Sequence, residues 1–534
     1  MLFPATSGRT AAYISLFLTL VNANGRDQQP TRPGDNNRLS NVDDERYVAS
    51  LKIGGKNINV MLDTGSTDLW LNPREGVGAF ESTGRGIHVS QPHCRNIVIN
   101  GTIGLVEMSI AGHTIPKQAF INVTEIVGMD DCGVGICGVL GLGFDNPITG
   151  IGHTLSNKLG LAGEKLGKSV LSSIFDADPS KGRFFALSLS RLGDAKDSAP
   201  ASLSIQEYDE QYANVQWMAR HPVYPPTSGS WQVLFDGVTV NGMAIQWTAN
   251  SEETPSKQLR MLVDSGTTNF LVKSEIRDRI YSVVPGAVLA RNSRLNTTHW
   301  GADRDAWVIP CDAAVSMSVL FGGQPYPMHP LDMTAVRTQK GPDGVNYTYC
   351  VGTVTNGGSI TSGARDAQFG ASFMRNVYTS FNFGDNITSP YIQFLSQTNE
   401  WEARQDFAHV RKTQLGKSPH EVSPAELVKI FDGVEVAPVS AKTSNCAASN
   451  NKVQAVAGNL ASEYSHSASS NSKYLPAILG LLVVNFVAVL GLGVLAVLTW
   501  VRKGSAERVN YVPTKTHDDS YRTWFEEEKP YSDR

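Results

Sequence analysis

Two short stretches with the same pattern constrain this chain more than any other feature of its sequence. In each, an apolar run leads into an aspartate, which is followed by a hydroxyl residue, a glycine and a second hydroxyl residue. The stretches run from Met61 to Thr67 and from Leu262 to Thr268, about 200 residues apart. The repetition of this unusual pattern at domain-scale separation predicts two half-sites that meet. We therefore expect Asp63 and Asp264 to lie in one site.

The composition favours strands and turns over helices. The chain contains 49 Gly and 26 Pro, and residues 50–400 are rich in Val, Ile, Thr and Ser. Such segments are typical of short strands joined by turns, so we expect an all-β fold. The formal net charge of −4 gives no basic field that would attract nucleic acid. The eleven histidines show no metal-ligand spacing, and we expect neither a metal nor a cofactor.

The N-terminus has the pattern of a secretory signal. Arg9 precedes an apolar run from Ala11 to Val21, and small residues around Ala23 suit cleavage. We expect a signal peptide over residues 1–23, with a buried N-terminal helix as the alternative. The six cysteines agree with an oxidising compartment. Five sequons are candidates for glycosylation, at Asn100, Asn122, Asn296, Asn346 and Asn386.

A second apolar run predicts a membrane anchor. Residues 475–501 carry no charge, and about 20 apolar residues suffice to cross a bilayer. Arg502 and Lys503 follow at once, which places the tail, residues 502–534, in the cytoplasm. A lipid-anchor signal is the alternative, but its apolar segment normally ends the chain. We expect a single-pass protein of the secretory pathway at the cell surface, with an acidic organelle as the alternative location.

The pattern along the chain predicts two lobes. Ile58, Val60 and Leu62 alternate with other residues before Asp63, as in a strand. Each half has a motif strand first and a glycine-containing apolar strand later, which indicates a weak internal duplication. We expect a flexible lead-in over residues 24–46, β lobes over 47–217 and 218–398, and a flexible stalk over 399–474.

The paired motif suits hydrolysis of an amide bond. Two carboxylates a few ångströms apart share one proton, because both cannot ionise cheaply. The ionised member can take a proton from water, while the protonated member donates to a carbonyl oxygen. Glycine lets backbone N–H groups approach the carboxylates, and hydroxyls can hold their orientation. The supporting residues on this hypothesis are Thr64, Gly65, Ser66, Ser265, Gly266 and Thr267.

These residues are the basis of a family resemblance. Residues 47–398 resemble the pepsin-like aspartic proteases, and the chain as a whole resembles a membrane-anchored, fungal-type member of that family. The matching stretches are Val60 to Trp70, Gly138 to Gly143, Trp231-Gln232, Val263 to Thr267, and Phe369-Gly370 through Phe381. The resemblance implies a bilobal all-β fold with pseudo-twofold symmetry and an active cleft between the lobes.

The resemblance also implies roles for particular residues. Asp63 and Asp264 would form the catalytic dyad, Met61 would lie near the cleft floor and Trp70 would support the site. Cys311 and Cys350 would form the disulfide of the C-terminal lobe. The substrates would be peptides or proteins with apolar residues around the scissile bond, and the protein would be a monomer.

The remaining cysteines leave several pairings open. Cys132 and Cys137 are close enough in sequence for a small loop disulfide, but Cys94 can pair with either of them. Cys446, in the predicted stalk, would then be a free thiol or form an intermolecular bond.

One departure from the family concerns the hairpin that closes over the substrate. The family carries a tyrosine there, but this chain has none between Tyr47 and Tyr208, and the hairpin region offers His88, His93 and Cys94 instead. We expect an aspartic endopeptidase anchored in a membrane with its lobes outside the cytosol. The alternative is a catalytically weak or inactive peptide-binding receptor on the same fold.

Overall fold

The computed structural model describes residues 37–91, 97–128, 132, 135–193, 200–296, 304–385, 387–419 and 421–440. The predicted signal peptide, membrane span and cytoplasmic tail lie outside these ranges, as do Cys94 and Cys446. Within the ranges, no helix is both long and apolar enough to cross a bilayer.

The first half of the chain is mostly β structure. Its elements are β1 (Ser40–Val42), β2 (Arg46–Ile53), β3 (Lys56–Asp63), β4 (Leu69–Leu71), β5 (Glu81–Gln91), β6 (Ile97–Ile110), β7 (His113–Val127), β8 (Gly138–Gly141), α1 (Gly150–Leu159), α2 (Leu161–Leu166), α3 (Val170–Ala177), β9 (Phe184–Ser188), β10 (Ser202–Ile205) and a 3-10 helix at Glu210–Trp217.

The second half of the chain is also mostly β structure. Its first elements are β11 (His221–Pro222), β12 (Gln232–Phe235), β13 (Gly237–Val240), β14 (Met243–Ala244), β15 (Leu259–Val263), β16 (Phe270–Val272), α4 (Ser274–Tyr281), β17 (Val288–Ala290), β18 (Ala306–Ile309), β19 (Met317–Phe321) and β20 (Gln324–Met328). There follow β21 (Thr334–Lys340), β22 (Asn346–Gly352), β23 (Val354–Asn356), β24 (Ala367–Phe369), α5 (Ala371–Met374), β25 (Val377–Asn382), β26 (Tyr391–Ser396), α6 (Glu400–Leu415) and α7 (Pro424–Asp432), with 3-10 helices at Pro330–Asp332 and Gly358–Thr361.

The two motif aspartates lie at equivalent points of two sheets. In the eight-stranded sheet, ordered β1-β2-β3-β8-β4-β7-β6-β5, the motif strand β3 pairs in parallel with β8, and β8 pairs antiparallel with β4. In a five-stranded sheet, ordered β12-β15-β24-β16-β23, β15 pairs in parallel with β24, and β24 antiparallel with β16. The shared arrangement is a pseudo-twofold repeat of the motif strand and its two neighbours.

A third sheet joins the halves of the chain. Its order is β10-β9-β25-β26-β11, so strands from early and late in the sequence pair directly. Trp231 is fully buried, and its indole Nε1 donates to the backbone oxygen of Leu142, 2.9 Å away. The core therefore continues from one half into the other. The prediction of a β fold is confirmed in its main part, with several short helices added.

The segments predicted to be flexible are partly ordered. In the lead-in, β1 pairs with β2, and the Leu39 amide donates to the Ala201 oxygen. In the predicted stalk, α6 and α7 pack on the C-terminal lobe, where Leu427, Val428 and Phe431 are buried. Residues 37–46, 399–419 and 421–440 therefore contain regular structure, and spaced apolar side chains in them are buried against the lobes. Residues 441–474 lie outside the described ranges.

Candidate active site

The tertiary structure brings the two motifs into contact. Asp63 is the last residue of β3, and Asp264 follows β15 directly. A Cβ atom added to Gly65 would lie 2.8 Å from the carboxyl carbon of Asp264, and one added to Gly266 would lie 2.4 Å from Asp63 Oδ1. Each glycine therefore touches the aspartate of the other motif, and any side chain there would collide with it.

Both carboxylates are held by matching donors. Asp63 Oδ1 accepts from the Gly65 amide at 2.9 Å, and Asp264 Oδ1 accepts from the Gly266 amide at 2.9 Å. Each outer oxygen, Oδ2, accepts from a hydroxyl, that of Ser66 at 2.5 Å and that of Thr267 at 2.7 Å. These hydrogen bonds fix the orientation of both carboxyl groups.

The second residues of the motifs lock the lobes together beneath the aspartates. The Thr64 amide donates to the Ser265 hydroxyl at 3.1 Å, and the Ser265 amide donates to the Thr64 hydroxyl at 2.9 Å. The Thr64 hydroxyl donates in turn to the Val263 oxygen, and the Ser265 hydroxyl to the Leu62 oxygen, at 2.8 and 2.9 Å. All four bonds are buried and reciprocal, which sets the distance between the two aspartates.

The electrostatics favour a shared proton. Burial, together with the adjacent Asp264 carboxylate, raises the pKa of Asp63 well above its ordinary value. Hydrogen bonds from Ser66 and Gly65 oppose this effect. A neutral acid beside a carboxylate is the state in which one group donates and the other accepts a proton.

One buried side chain at the site was missed by the sequence reasoning. Gln368, on β24, donates from Nε2 to Asp264 Oδ2 and to the Thr267 hydroxyl, each at 2.6 Å. Its amide oxygen accepts from Arg365 Nη1 at 2.8 Å. The signal available in the sequence was an amide side chain in an otherwise apolar strand, since glutamine is rarely fully buried without a specific partner.

Trp70 packs against a hairpin of the N-terminal lobe. Strands β5 and β6 form this hairpin, and residues 92–96, which include His93 and Cys94, lie outside the described ranges. Trp70 packs in a cluster with apolar residues of both strands, including Ile87 and Ile99. His88 bonds to the Asn100 side chain, with Nδ1 and Oδ1 2.7 Å apart. In the described strands of the hairpin, Trp70 therefore packs against aliphatic side chains.

The other predicted residues have simpler positions. Met61 is partly exposed on β3, on the same face as Asp63, while Val60 and Leu62 point into the core. Cys311 and Cys350 are joined in a disulfide, the pairing that the resemblance implies. Cys132 and Cys137 form a second disulfide. In the described part of the chain, no group of three or more His, Cys, Asp or Glu residues is arranged to hold a metal ion.

Comparison with known proteins agrees with this geometry. The model of the family "eukaryotic aspartyl protease" matches residues 46–389. A probable aspartic-type endopeptidase of Aspergillus fumigatus is 23% identical over 425 residues, which cover 71% of this chain and 87% of the relative. Major aspartyl peptidase 1 of Cryptococcus neoformans is 23% identical, with 64% of this chain and 67% of the relative covered. Penicillopepsin-3 of Penicillium janthinellum is 22% identical, with 64% and 76% covered.

The family match spans both motif aspartates, the glycines that touch them and the strands that carry them. It also includes Gln368 and the disulfide between Cys311 and Cys350. The chain belongs to the eukaryotic aspartyl protease family and is an aspartic-type peptidase.

Proposed function

We propose that this protein is an endopeptidase that cleaves peptide bonds with a water molecule activated between Asp63 and Asp264. The observation that carries the proposal is the reciprocal contact between the two motifs, in which each glycine lies against the other aspartate. That contact places two carboxyl groups within reach of one water molecule. The matched donors around them hold both groups ready for proton transfer.

The reaction follows from sharing one proton. The ionised carboxylate removes a proton from water as the water oxygen bonds to the carbonyl carbon. The protonated carboxyl gives its proton to the carbonyl oxygen, so a neutral gem-diol forms. The dyad still holds one proton, now on the other aspartate. When the C–N bond breaks, one diol hydroxyl gives its proton to the ionised carboxylate and the protonated carboxyl gives its proton to the leaving nitrogen, so the pair returns to its starting state. No covalent bond to the enzyme is needed.

The test uses the full-length protein and a peptide library. We expect the wild-type protein to cleave peptides. Asp63→Asn or Asp264→Asn should reduce the rate of cleavage by about a thousandfold, because removing a catalytic acid or base typically costs about two to four orders of magnitude. Asp68→Asn is the matched control. Asp68 accepts from the Ile151 amide at 3.1 Å, away from the dyad, so cleavage should persist. Robust cleavage by either dyad variant would refute the proposal.

A peptide-binding receptor is the second candidate function, and the observation that favours it is the absence of tyrosine from the hairpin region. The two candidates differ in one measurement. A receptor would retain a statine-type transition-state analogue or a peptide while releasing no products. An endopeptidase would release products, and the same analogue would inhibit their release.

We further propose that residues 475–501 anchor the protein in a membrane, with the lobes outside the cytosol. The support is the uncharged run followed by Arg502 and Lys503. The sequons, all N-terminal to this run, would then be accessible to glycosylation. Alkaline carbonate extraction and glycosidase digestion of the full-length protein test both points. A protein that is released by carbonate and unchanged by glycosidase would contradict them.

A further inference from the structure

The two aspartates are alike in every hydrogen bond to their own motif, but they differ in one contact from outside it. Asp264 Oδ2 accepts from Gln368 Nε2 as well as from the Thr267 hydroxyl. Among the described residues, the donors to Asp63 are the Gly65 amide and the Ser66 hydroxyl, and Asp63 also shares a hydrogen bond with the Asp264 carboxyl. The pseudo-twofold symmetry of the site is therefore broken at Gln368.

The position equivalent to Gln368 in the other lobe is apolar. Gln368 is paired with Leu262 on the motif strand β15 and with Leu271 on β16. These partners lie two residues before and seven residues after Asp264. At the same distances from Asp63, Met61 on β3 and Trp70 on β4 are paired with Val139. Val139 is buried, and its side chain has no hydrogen-bonding group. The extra donor therefore belongs to the environment of Asp264 alone.

The chemistry of Arg365 determines which way the Gln368 amide faces. A guanidinium group only donates hydrogen bonds, so the Gln368 atom that it reaches at 2.8 Å must be the oxygen. The NH2 group then faces Asp264. Gln368 is only 5% exposed, which leaves little room for another arrangement.

The donors also constrain where the shared proton can lie. Gln368 Nε2 donates both to Asp264 Oδ2 and to the Thr267 oxygen. Because the Thr267 oxygen accepts from Gln368, its own hydrogen points to Asp264 Oδ2. Asp264 Oδ2 thus accepts from two donors whose orientation is fixed. A proton on that oxygen would be repelled by the hydrogens of both donors. The Ser66 hydroxyl beside Asp63 has no such fixed donor among the described residues.

We propose that Gln368, held in place by Arg365, is a positioning residue that keeps Asp264 ionised and leaves the shared proton on Asp63. In this assignment Asp264 is the base that takes the proton from water, and Asp63 is the acid that protonates the carbonyl oxygen. The assignment rests on the proposed endopeptidase function, and it deepens that function by giving the two aspartates different roles.

The first test is Gln368→Leu, which replaces the amide by an apolar side chain of similar size and so makes the position apolar, as Val139 is in the other lobe. A hydrogen bond to a charged group changes a pKa by about one unit or more. We expect the acid limb of the profile of kcat/KM against pH to move up by about one unit. The basic limb should stay in place, since Asp264 is ionised both before and after that second proton leaves the pair. A profile that coincides with the wild type, or one that is lowered at every pH without moving, would overturn the proposal.

Two further variants separate positioning from stability. Gln393→Leu is the matched control. Gln393 is also a buried glutamine on a strand, but its Nε2 donates to the backbone oxygens of Gln216 and Met218, away from the dyad. We expect it to lower the denaturation midpoint without moving the acid limb. Arg365→Gln leaves Gln368 in place but releases its amide. It should move the acid limb in the same direction as Gln368→Leu, by less.

A measurement independent of turnover decides the assignment even if the protein cleaves no peptide. The full-length protein is labelled with 13C at the aspartate carboxyl carbons, and the dyad resonances are assigned by their loss in Asp63→Asn and Asp264→Asn. We expect the Asp264 resonance to show the ionised state at lower pH than that of Asp63, and Gln368→Leu to raise that pH. If Asp63 ionises first in the wild type, the proposal is wrong. Absence of cleavage with the expected titration would refute the endopeptidase function alone.

Discussion

Thr64 and Ser265 exchange hydrogen bonds from opposite lobes, each backbone amide donating to the hydroxyl of the other residue. Thr64→Val keeps the shape of the side chain but leaves the Ser265 amide and the Val263 oxygen without their buried partner. We expect a loss of about 1–3 kcal/mol in the free energy of unfolding. Because the dyad geometry loosens, kcat should fall as well.

Denaturant titration and steady-state kinetics check this expectation. Thr413→Val is the control, since its hydroxyl donates to the His409 oxygen on the exposed face of α6. A Thr64→Val protein as stable and active as the control would show that the exchange is dispensable.

Gly65→Ala addresses the contact between the glycine of one motif and the aspartate of the other. The new methyl group would lie 2.8 Å from both the carboxyl carbon and Oδ1 of Asp264, which is closer than real contacts allow. We expect the dyad to be displaced and kcat/KM to fall by about a hundredfold or more, because a shift of 1 Å has that effect. Gly363→Ala, where a methyl group would meet nothing within 4 Å, is the control. Equal activity in the two variants would contradict the contact.

A buried charge cluster joins the lobes away from the dyad. Asp332 is 1% exposed and accepts from Arg191 and from Arg375 Nε, the latter at 2.7 Å. Although burial opposes it, the two guanidinium groups hold the pKa of Asp332 below its ordinary value. Its stabilising effect is therefore complete above the unfolded-state pKa of about 3.9 and is lost as the pH falls through the lower folded-state pKa.

Asp332→Asn should accordingly destabilise the protein by about 3–5 kcal/mol at pH 5, because two buried arginines lose their counter-charge. Thermal unfolding across pH 2–7 measures both the loss at pH 5 and its decline below the unfolded-state pKa. Glu81→Gln removes an ion pair with Lys117 in which both side chains are more than half exposed, and it should cost at most about 1 kcal/mol. A loss no larger than that of Glu81→Gln would refute the role of the cluster.

His221 should make the fold less stable in mild acid. Its ring lies 4.9 Å from that of Phe321 and 5.5 Å from that of Phe394, and burial lowers its pKa to about 4. The unfolded chain binds the proton near pH 6.5, so stability is present above pH 6.5 and declines as the pH falls towards 4. We expect a loss of about 1–3 kcal/mol over this range.

His221→Phe should remove that part of the decline, and thermal unfolding at pH 7, 5.5 and 4 would show it. The exposed His409 on α6 provides the control variant, His409→Gln, which should keep the wild-type slope. A slope that is unchanged in His221→Phe would mean that other groups cause the acid sensitivity.

Helix α7 should behave as part of the folded lobe. Phe431 is 3% exposed, with its ring 6.0 Å from that of Tyr347 and 6.3 Å from that of Tyr349. Phe431→Ala is expected to cost about 3–5 kcal/mol, as for other buried aromatic residues. Val434→Ala, at a position 53% exposed, should cost almost nothing. If Phe431→Ala and Val434→Ala were equally stable, the result would favour the prediction that this segment is a flexible stalk.

The site could be predicted from the sequence because the residues that mark each half of it are neighbours in the chain. Asp63 and Asp264 each sit in a short motif whose glycine and hydroxyl residues are chain neighbours, and the apolar alternation before Asp63 marks a strand that the structure contains. The burial of α6 was missed because its charged residues outnumber the few apolar ones that are buried. Helix α7 is more apolar, but it follows a charged segment and its own pattern does not show what it packs on. Local composition does not reveal which surface a weakly apolar helix will find.

Taken alone, the sequence determined the type of fold, the two aspartates and the residues that hold each from within its own motif. Only the tertiary structure decided that each glycine lies against the opposite aspartate, that Arg191 meets Asp332, and that Gln368 reaches one aspartate and not the other. Gln368 and Asp264 are 104 positions apart in the chain. Contacts over such distances come from strand order and register, and no local periodicity encodes them.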